Sequence, residues 1–215
     1  MKKVFVLVEG QTEELFVEEV LQPALPSLAL IAVIIATKRV ASGGKFKGGI
    51  GSFKKVADHL RLLLSDSSAA AVTTLLDLYG LPHDFPGAES VTQGRERAVQ
   101  LEAALHSAMG SSPRLIPHFS VHEFESYLFV SPEASPTVFS PEQARRLSEI
   151  SKKYGGDVEL INDGPSTHPS ARIQAIAPGY DKVFGGSLAI GDVGLDRIAN
   201  ACPHFKAWFD RLAAL

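Results

Sequence analysis

The sequence predicts an α/β fold: a parallel sheet of about four strands flanked by helices, followed by a C-terminal helical extension. Three observations lead there. The runs Val4–Val8, Leu28–Ala36 and Ala70–Leu76 are apolar without polar alternation, as expected of strands covered on both faces. Between them lie stretches whose apolar residues recur at helical spacing. Beyond Val130 the pattern changes to short helical segments separated by SPEASP, NDGPSTHP and FGGS. The resulting order, βαβαβαβ and then helices, fits a sheet with right-handed crossovers and helices on both faces.

Each element follows from its residues. Val4–Val8 is rich in β-branched side chains and is closed by Glu9 and Gly10. Thr12 then serves as N-cap for a helix carrying Leu15, Phe16, Val20 and Leu21. Leu28–Ala36 follows Pro26 and reads as a strand buried on both faces. The loop ASGGKFKGGIGSF leads into a helix over Phe53–Ser65 with Val56, Leu60, Leu63 and Leu64 on one side. Ala70–Leu76 is the third strand and ends at Asp77. A helix near Thr92–Met109 carries Ala98, Leu101 and Leu105, and a fourth extended run covers Arg114–Val121. The later helices are expected at Pro141–Lys153, Pro169–Ile176, Leu195–Ala201 and Phe205–Leu212, with a turn at Asn162–Pro165. The organisation is a core over residues 1–130 and an extension over 131–215 that packs on it or offers a partner-binding face.

Composition narrows the classes. A chain of 215 residues is long enough to bury most of its apolar surface in one domain. A formal charge of -3 excludes a chain-wide basic footprint for nucleic acid, though not a local patch. The single cysteine, Cys202, cannot form an internal disulfide or a cysteine-rich zinc site, which points to a reducing, cytoplasmic setting. The opening MKKVFVLVEG turns acidic too soon for a signal peptide, and Leu28–Ala36 is far short of a membrane span.

In an open parallel sheet, ligands bind beyond the carboxyl ends of the strands. Glu9 ends the first strand, Asp77 ends the third, and Glu123 and Glu125 follow the fourth, so these acids are expected to share one rim. Glu13 lies four residues past Glu9 and reaches the same place. Carboxylates that close either take up a proton or hold a dication, and oxygen ligands favour Mg2+ or Mn2+. The rival reading is structural: acids suit a helix N-terminus by about 0.3–1 kcal/mol each, and Glu14, Glu18 and Glu19 are assigned to a solvated face. The segment Lys38–Lys55 holds six basic residues and no acid, with Lys45 and Lys47 placed to clamp a phosphate backbone, or else it is a solvated basic loop. It is no P-loop, since Phe46 follows Gly44-Lys45 where a hydroxyl is needed. His118 and His122 hint at zinc, but IPHFSVHEF is not a helical H-E-x-x-H, and this reading is set aside. Acids for a cation beside bases for phosphates suit phosphodiester chemistry. A small-molecule phosphate or nucleotide enzyme uses the same parts, but its anion would face the acids.

The motifs VEGQTEELF, LLDLYGLP, HEFESYLF, NDGPSTHPSARI and GLDRIANACPHFKAWF, in this order, resemble an uncharacterised bacterial family, domain of unknown function 4276, which looks like a Toprim relative. The resemblance spans nearly the whole chain and implies a Toprim/Rossmann-like core. It further implies a magnesium site in which Glu9 matches the glutamate after the first strand and Asp77 the first aspartate of an Asp-x-Asp. Tyr79 stands at the second aspartate, so Glu13, Glu123 and Glu125 are the expected replacement ligands. Toprim relatives include nucleases, and the family is often encoded beside P-loop ATPases. The resemblance therefore implies a magnesium-dependent nuclease acting on nucleic acid as the effector of an ATPase in a defence-type system. Its alternative is an inactive Toprim-shaped binding module serving such a partner.

Overall fold

A computed structural model of the chain describes residues 1–35, 50–90, 92–161, 164 and 166–215. Lys38, Arg39, Lys45, Lys47 and most of the Asn162–Pro165 turn lie outside the described residues.

Strand β1 (Lys2–Val8) alternates its side chains, with Val4, Val6 and Val8 on one face and Leu7 on the other. It pairs in parallel with β2 (Leu28–Ile34) on one side and β3 (Ala69–Asp77) on the other. The short strands β4 (Leu115–Ile116) and β5 (Phe119–Ser120) both pair in parallel with β3, giving the order β2-β1-β3-β4. The expected sheet is therefore present, with two corrections. The fourth run divides in two, because Pro117 has no N–H to offer a continuous ladder. The β2 strand, expected to be covered on both faces, is an edge strand in which only Leu28 is buried, and Ile31 is 40% exposed.

Two apolar layers enclose the sheet. On the Leu7 face, Val72 and Leu76 pack with Val56 and Leu60 of α3 (Phe53–Ser65) and with Ala98, Leu101 and Leu105 of α4 (Gly94–Ala108). On the Val6 face lie Phe16 of α1 (Gln11–Phe16) and the C-terminal helices. α1 runs on through a wide π turn (Val17–Leu21) into α2 (Gln22–Ala24). Its N-cap is Gly10, not Thr12: the Gly10 N–H donates to Glu13 Oε2 at 3.0 Å, so a carboxylate closes the first turn.

The C-terminal helices are α5 (Pro141–Lys153), α6 (Pro169–Ile176), α7 (Lys182–Val193), α8 (Leu195–Ala201) and α9 (Pro203–Ala213). Residues from α5 to α9 share one apolar cluster with Val4, Val6, Val8 and Phe16. From α9, Phe205 packs against Phe16, and the Trp208 indole N–H donates to Thr73 Oγ1 at 2.8 Å. The α7 helix was not expected, because FGGS inside it reads as a break. Its glycines serve close packing instead: a Cβ on Gly186 would stand 2.8 Å from the Tyr180 hydroxyl oxygen and 3.1 Å from Thr12 Cγ2. Only glycine lets α7 lie this close to α1, and that approach sets the position of Lys182.

Candidate metal centre

The carboxyl ends of β1 and β3 open on a cleft of about 620 Å³ lined by Glu9, Glu13, Asp77 and Lys182, among others. Each acid arrives by a different local route. Glu9 follows the last residue of β1 and faces the Asp77 main chain. Glu13 is held by the Gly10 cap. Asp77 ends β3, and its Oδ1 accepts from the Phe124 N–H at 2.8 Å. After β5, His122 adopts a left-handed backbone (φ 66°) that few residues other than glycine tolerate. This bend sends the chain into the 3-10 turn Phe124–Phe129 and brings Glu123 and Glu125 back to Asp77. One ligand atom from each of these three lies within 4.8 Å of the others.

The acids differ in how they are held. Glu123 accepts from His168 Nδ1 at 3.0 Å and from the Ser170 N–H and hydroxyl at 2.8 and 2.9 Å, so its orientation is fixed. Tyr79 stacks on His168 with ring centroids 4.6 Å apart, and so buttresses Glu123 through the imidazole. Glu125 is fully buried, and neither oxygen has a hydrogen-bond partner among the described residues. Its one close neighbour is Lys182, whose Nζ lies 2.9 Å from Oε1 as an ion pair without hydrogen-bond alignment. A fully buried carboxylate is costly unless a cation meets it, and Lys182 supplies one.

Electrostatics follow from this crowding. Burial, and then the charges of Glu13 and Glu125, push the Glu9 carboxyl up to about 7. Burial raises Glu13 and Glu125 as well, and lifts Asp77 well above the usual carboxylate range with the help of Glu9. Burial works against the Lys182 charge, but Glu125, Asp77 and Glu13 outweigh it and hold the ammonium protonated. The donor set is all oxygen, which suits a hard dication.

The sequence-predicted acids Glu9, Glu13, Asp77, Glu123 and Glu125 are thus neighbours, and Tyr79 offers the cleft no carboxylate. Lys45 and Lys47 lie outside the described residues, while Lys54 is exposed and pairs with Asp58 at 2.5 Å. Lys182 is the residue that sequence reasoning missed. Its signal was Asp181, whose Oδ1 accepts from the Phe184 N–H as a helix cap, but Gly185-Gly186 concealed the helix that follows.

The profile of a family described as a domain of unknown function (DUF4276) matches residues 8–213. The chain belongs to that family. No curated protein and no solved structure matches it. The match takes in every member of the acidic cleft. Buried acidic and histidine clusters able to hold a metal ion are present in this DUF4276 chain, and no helix among its described residues is long and apolar enough to cross a membrane.

Proposed function

We propose that this DUF4276 protein is a Toprim-type, Mg2+- or Mn2+-dependent nuclease that cleaves phosphodiester bonds of nucleic acid. The observation that carries the reading is the convergence of five carboxylates, Glu9, Glu13, Asp77, Glu123 and Glu125, with a single lysine, Lys182, against buried Glu125. Asp77, Glu123 and Glu125 would hold the ion, with Glu123 oriented by His168 and Ser170 and with Glu9 and Glu13 lining the cleft beside them. A dication there supplies activation of water and offsets charge on the leaving oxygen. The half-exposed Lys182 ammonium stands at the cleft wall, where it can steer a phosphate oxygen once Glu125 has another partner. Lys45 and Lys47, outside the described residues, are proposed to steer the phosphate backbone. By the resemblance, the enzyme would act with a P-loop ATPase in a defence-type system.

Cleavage of DNA and RNA with millimolar Mg2+ or Mn2+ tests the reading: Glu9→Ala and Asp77→Ala each abolish it, and undiminished cleavage by both variants refutes it. A second reading is favoured by Lys182 itself. Its ammonium already neutralises part of the acidic cluster, as a bound cation would, and Phe184 and Leu188, one turn apart on α7, are 77% and 52% exposed. These suit a non-catalytic binding module. Its mark is the absence of any thermal shift with Mg2+ or Mn2+.

A further inference from the structure

A second set of ligating side chains lies away from the acidic cleft, at the β4/β5 edge of the sheet. It draws on three elements: Glu102 from α4, His118 from the link between β4 and β5, and His204 from the first turn of α9. Glu102 Oε1 lies 2.8 Å from His204 Nε2 and 3.6 Å from His118 Nδ1, and the two imidazole centroids are 5.0 Å apart. Ligands of one zinc ion, bound at about 2.0–2.1 Å near the tetrahedral angle, stand roughly 3.3 Å from each other. The two observed separations bracket that value.

The bland alternative is an ion pair between Glu102 and a protonated His204, with His118 packed beside it. This imidazole is 1% exposed, its 3.6 Å approach to Glu102 is longer than a hydrogen bond, and its Nε2 has no partner among the described residues. An ion shared with Glu102 and His204 would be met by Nδ1, the nitrogen of this ring that faces Glu102. The surroundings hold the three ligands in place. Trp208 stacks on His118 at 4.4 Å and 9°. The Phe119 N–H donates to Glu102 Oε1 at 3.0 Å, and the His204 N–H donates to buried Glu159, itself bound by Arg95. The His204 and Glu102 side chains keep 9% and 17% of their surface exposed, which leaves an approach for an ion and a fourth ligand.

We propose that Glu102, His118 and His204 form a transition-metal site of zinc type, separate from the acidic cleft, with one coordination position open to solvent. Two imidazoles and one carboxylate select Zn2+ or Co2+ over Mg2+, so the two sites differ in the ions they take. The inference is independent of the nuclease reading.

Metal-free protein is titrated with Co2+ in millimolar Mg2+, followed by visible absorption and thermal unfolding, and then with Zn2+ in competition. The expected result is one equivalent of Co2+ with the d–d bands of a four-coordinate nitrogen and oxygen site, displaced by Zn2+. His204→Gln and Glu102→Gln each weaken binding by at least about 100-fold, since even outer-shell losses cost 10- to 100-fold. Asp77→Asn leaves it unchanged. Absence of these bands and of any Zn2+-dependent thermal shift overturns the proposal, as does binding lost in Asp77→Asn but kept in His204→Gln. Should neither ligand variant fold, the wild-type protein decides: bound Co2+ must shift the ring-proton resonances of two histidines, and a spectrum without such shifts overturns the assignment.

Discussion

Replacing Glu9 by glutamine separates charge from shape at the acidic cleft. Glutamine keeps the side-chain length and an acceptor oxygen, but cannot ionise. In the native protein, burial and then the neighbouring acids raise the Glu9 carboxyl from 4.5 to about 7, whereas in the unfolded chain it titrates near the lower value. The native state therefore binds this proton more tightly. Its contribution is intact below about pH 4.5 and is lost as pH rises through about 7. The rise from 4.5 to about 7, at about 1.36 kcal/mol for each, amounts to about 3 kcal/mol by pH 8. In chelator, Glu9→Gln is thus expected to exceed the parent in stability by up to about 3 kcal/mol near pH 8, and to match it near pH 4.5. Urea denaturation at the two pH values measures this. Adding Mg2+ or Mn2+ should close most of that gap. An ion at 100 times its Kd stabilises the parent by about 2.7 kcal/mol, roughly 5–11 °C for a chain of this length, and does little for the variant. A Glu9→Gln protein that is less stable than the parent in chelator near pH 8 would refute the reasoning.

Other outcomes follow from the same contacts. Lys182→Met removes the cation beside buried Glu125 and should cost about 2–3 kcal/mol near pH 8 in chelator, toward the low end for a broken buried pair because the lysine is half exposed. Metal should restore most of that loss, and a calorimetric unfolding series with and without Mn2+ checks it. Trp208→Phe deletes the indole hydrogen bond to Thr73 and is expected to lower stability by about 1–2 kcal/mol while leaving metal affinity in the acidic cleft unaltered. Glu159→Ala strips the acceptor from the His204 and Phe205 N–H groups and from Arg95, and should cost about 3–5 kcal/mol by urea titration.

The parts of the fold legible in the sequence were those where local chemistry and tertiary packing agree. Phe53–Ser65 and Pro141–Lys153 appear with the expected ends; the first carries its apolar stripe, and the structure shows the second capped by Ser140 ahead of Pro141. Glu9 and Asp77 were marked by their place after apolar strands, and they do meet. The α7 helix was hidden because a glycine pair is costly in an isolated helix; it is tolerated where Thr12 and Tyr180 leave no room for a side chain. With the helix went Lys182. The β2 strand misled in the opposite sense, since an apolar run does not say whether a second strand pairs with it. His118 looked paired with His122 because they are close in sequence, yet its actual neighbours, Glu102 and His204, are 16 and 86 positions away, a relation no local pattern can carry.

The bare backbone at Gly186 has a mechanical consequence for the charge balance of the molecule. A single methyl group there would press on the Tyr180 hydroxyl, just ahead of α7, and on the Thr12 methyl of α1, pushing α7 away from α1. The lysine four positions earlier would be carried outward with its helix, and the Glu125 carboxylate would lose its counter-charge without any ionisable residue having been altered. In this chain a neutral change of one carbon, made more than a full turn from the acids, therefore sets how much positive charge they meet.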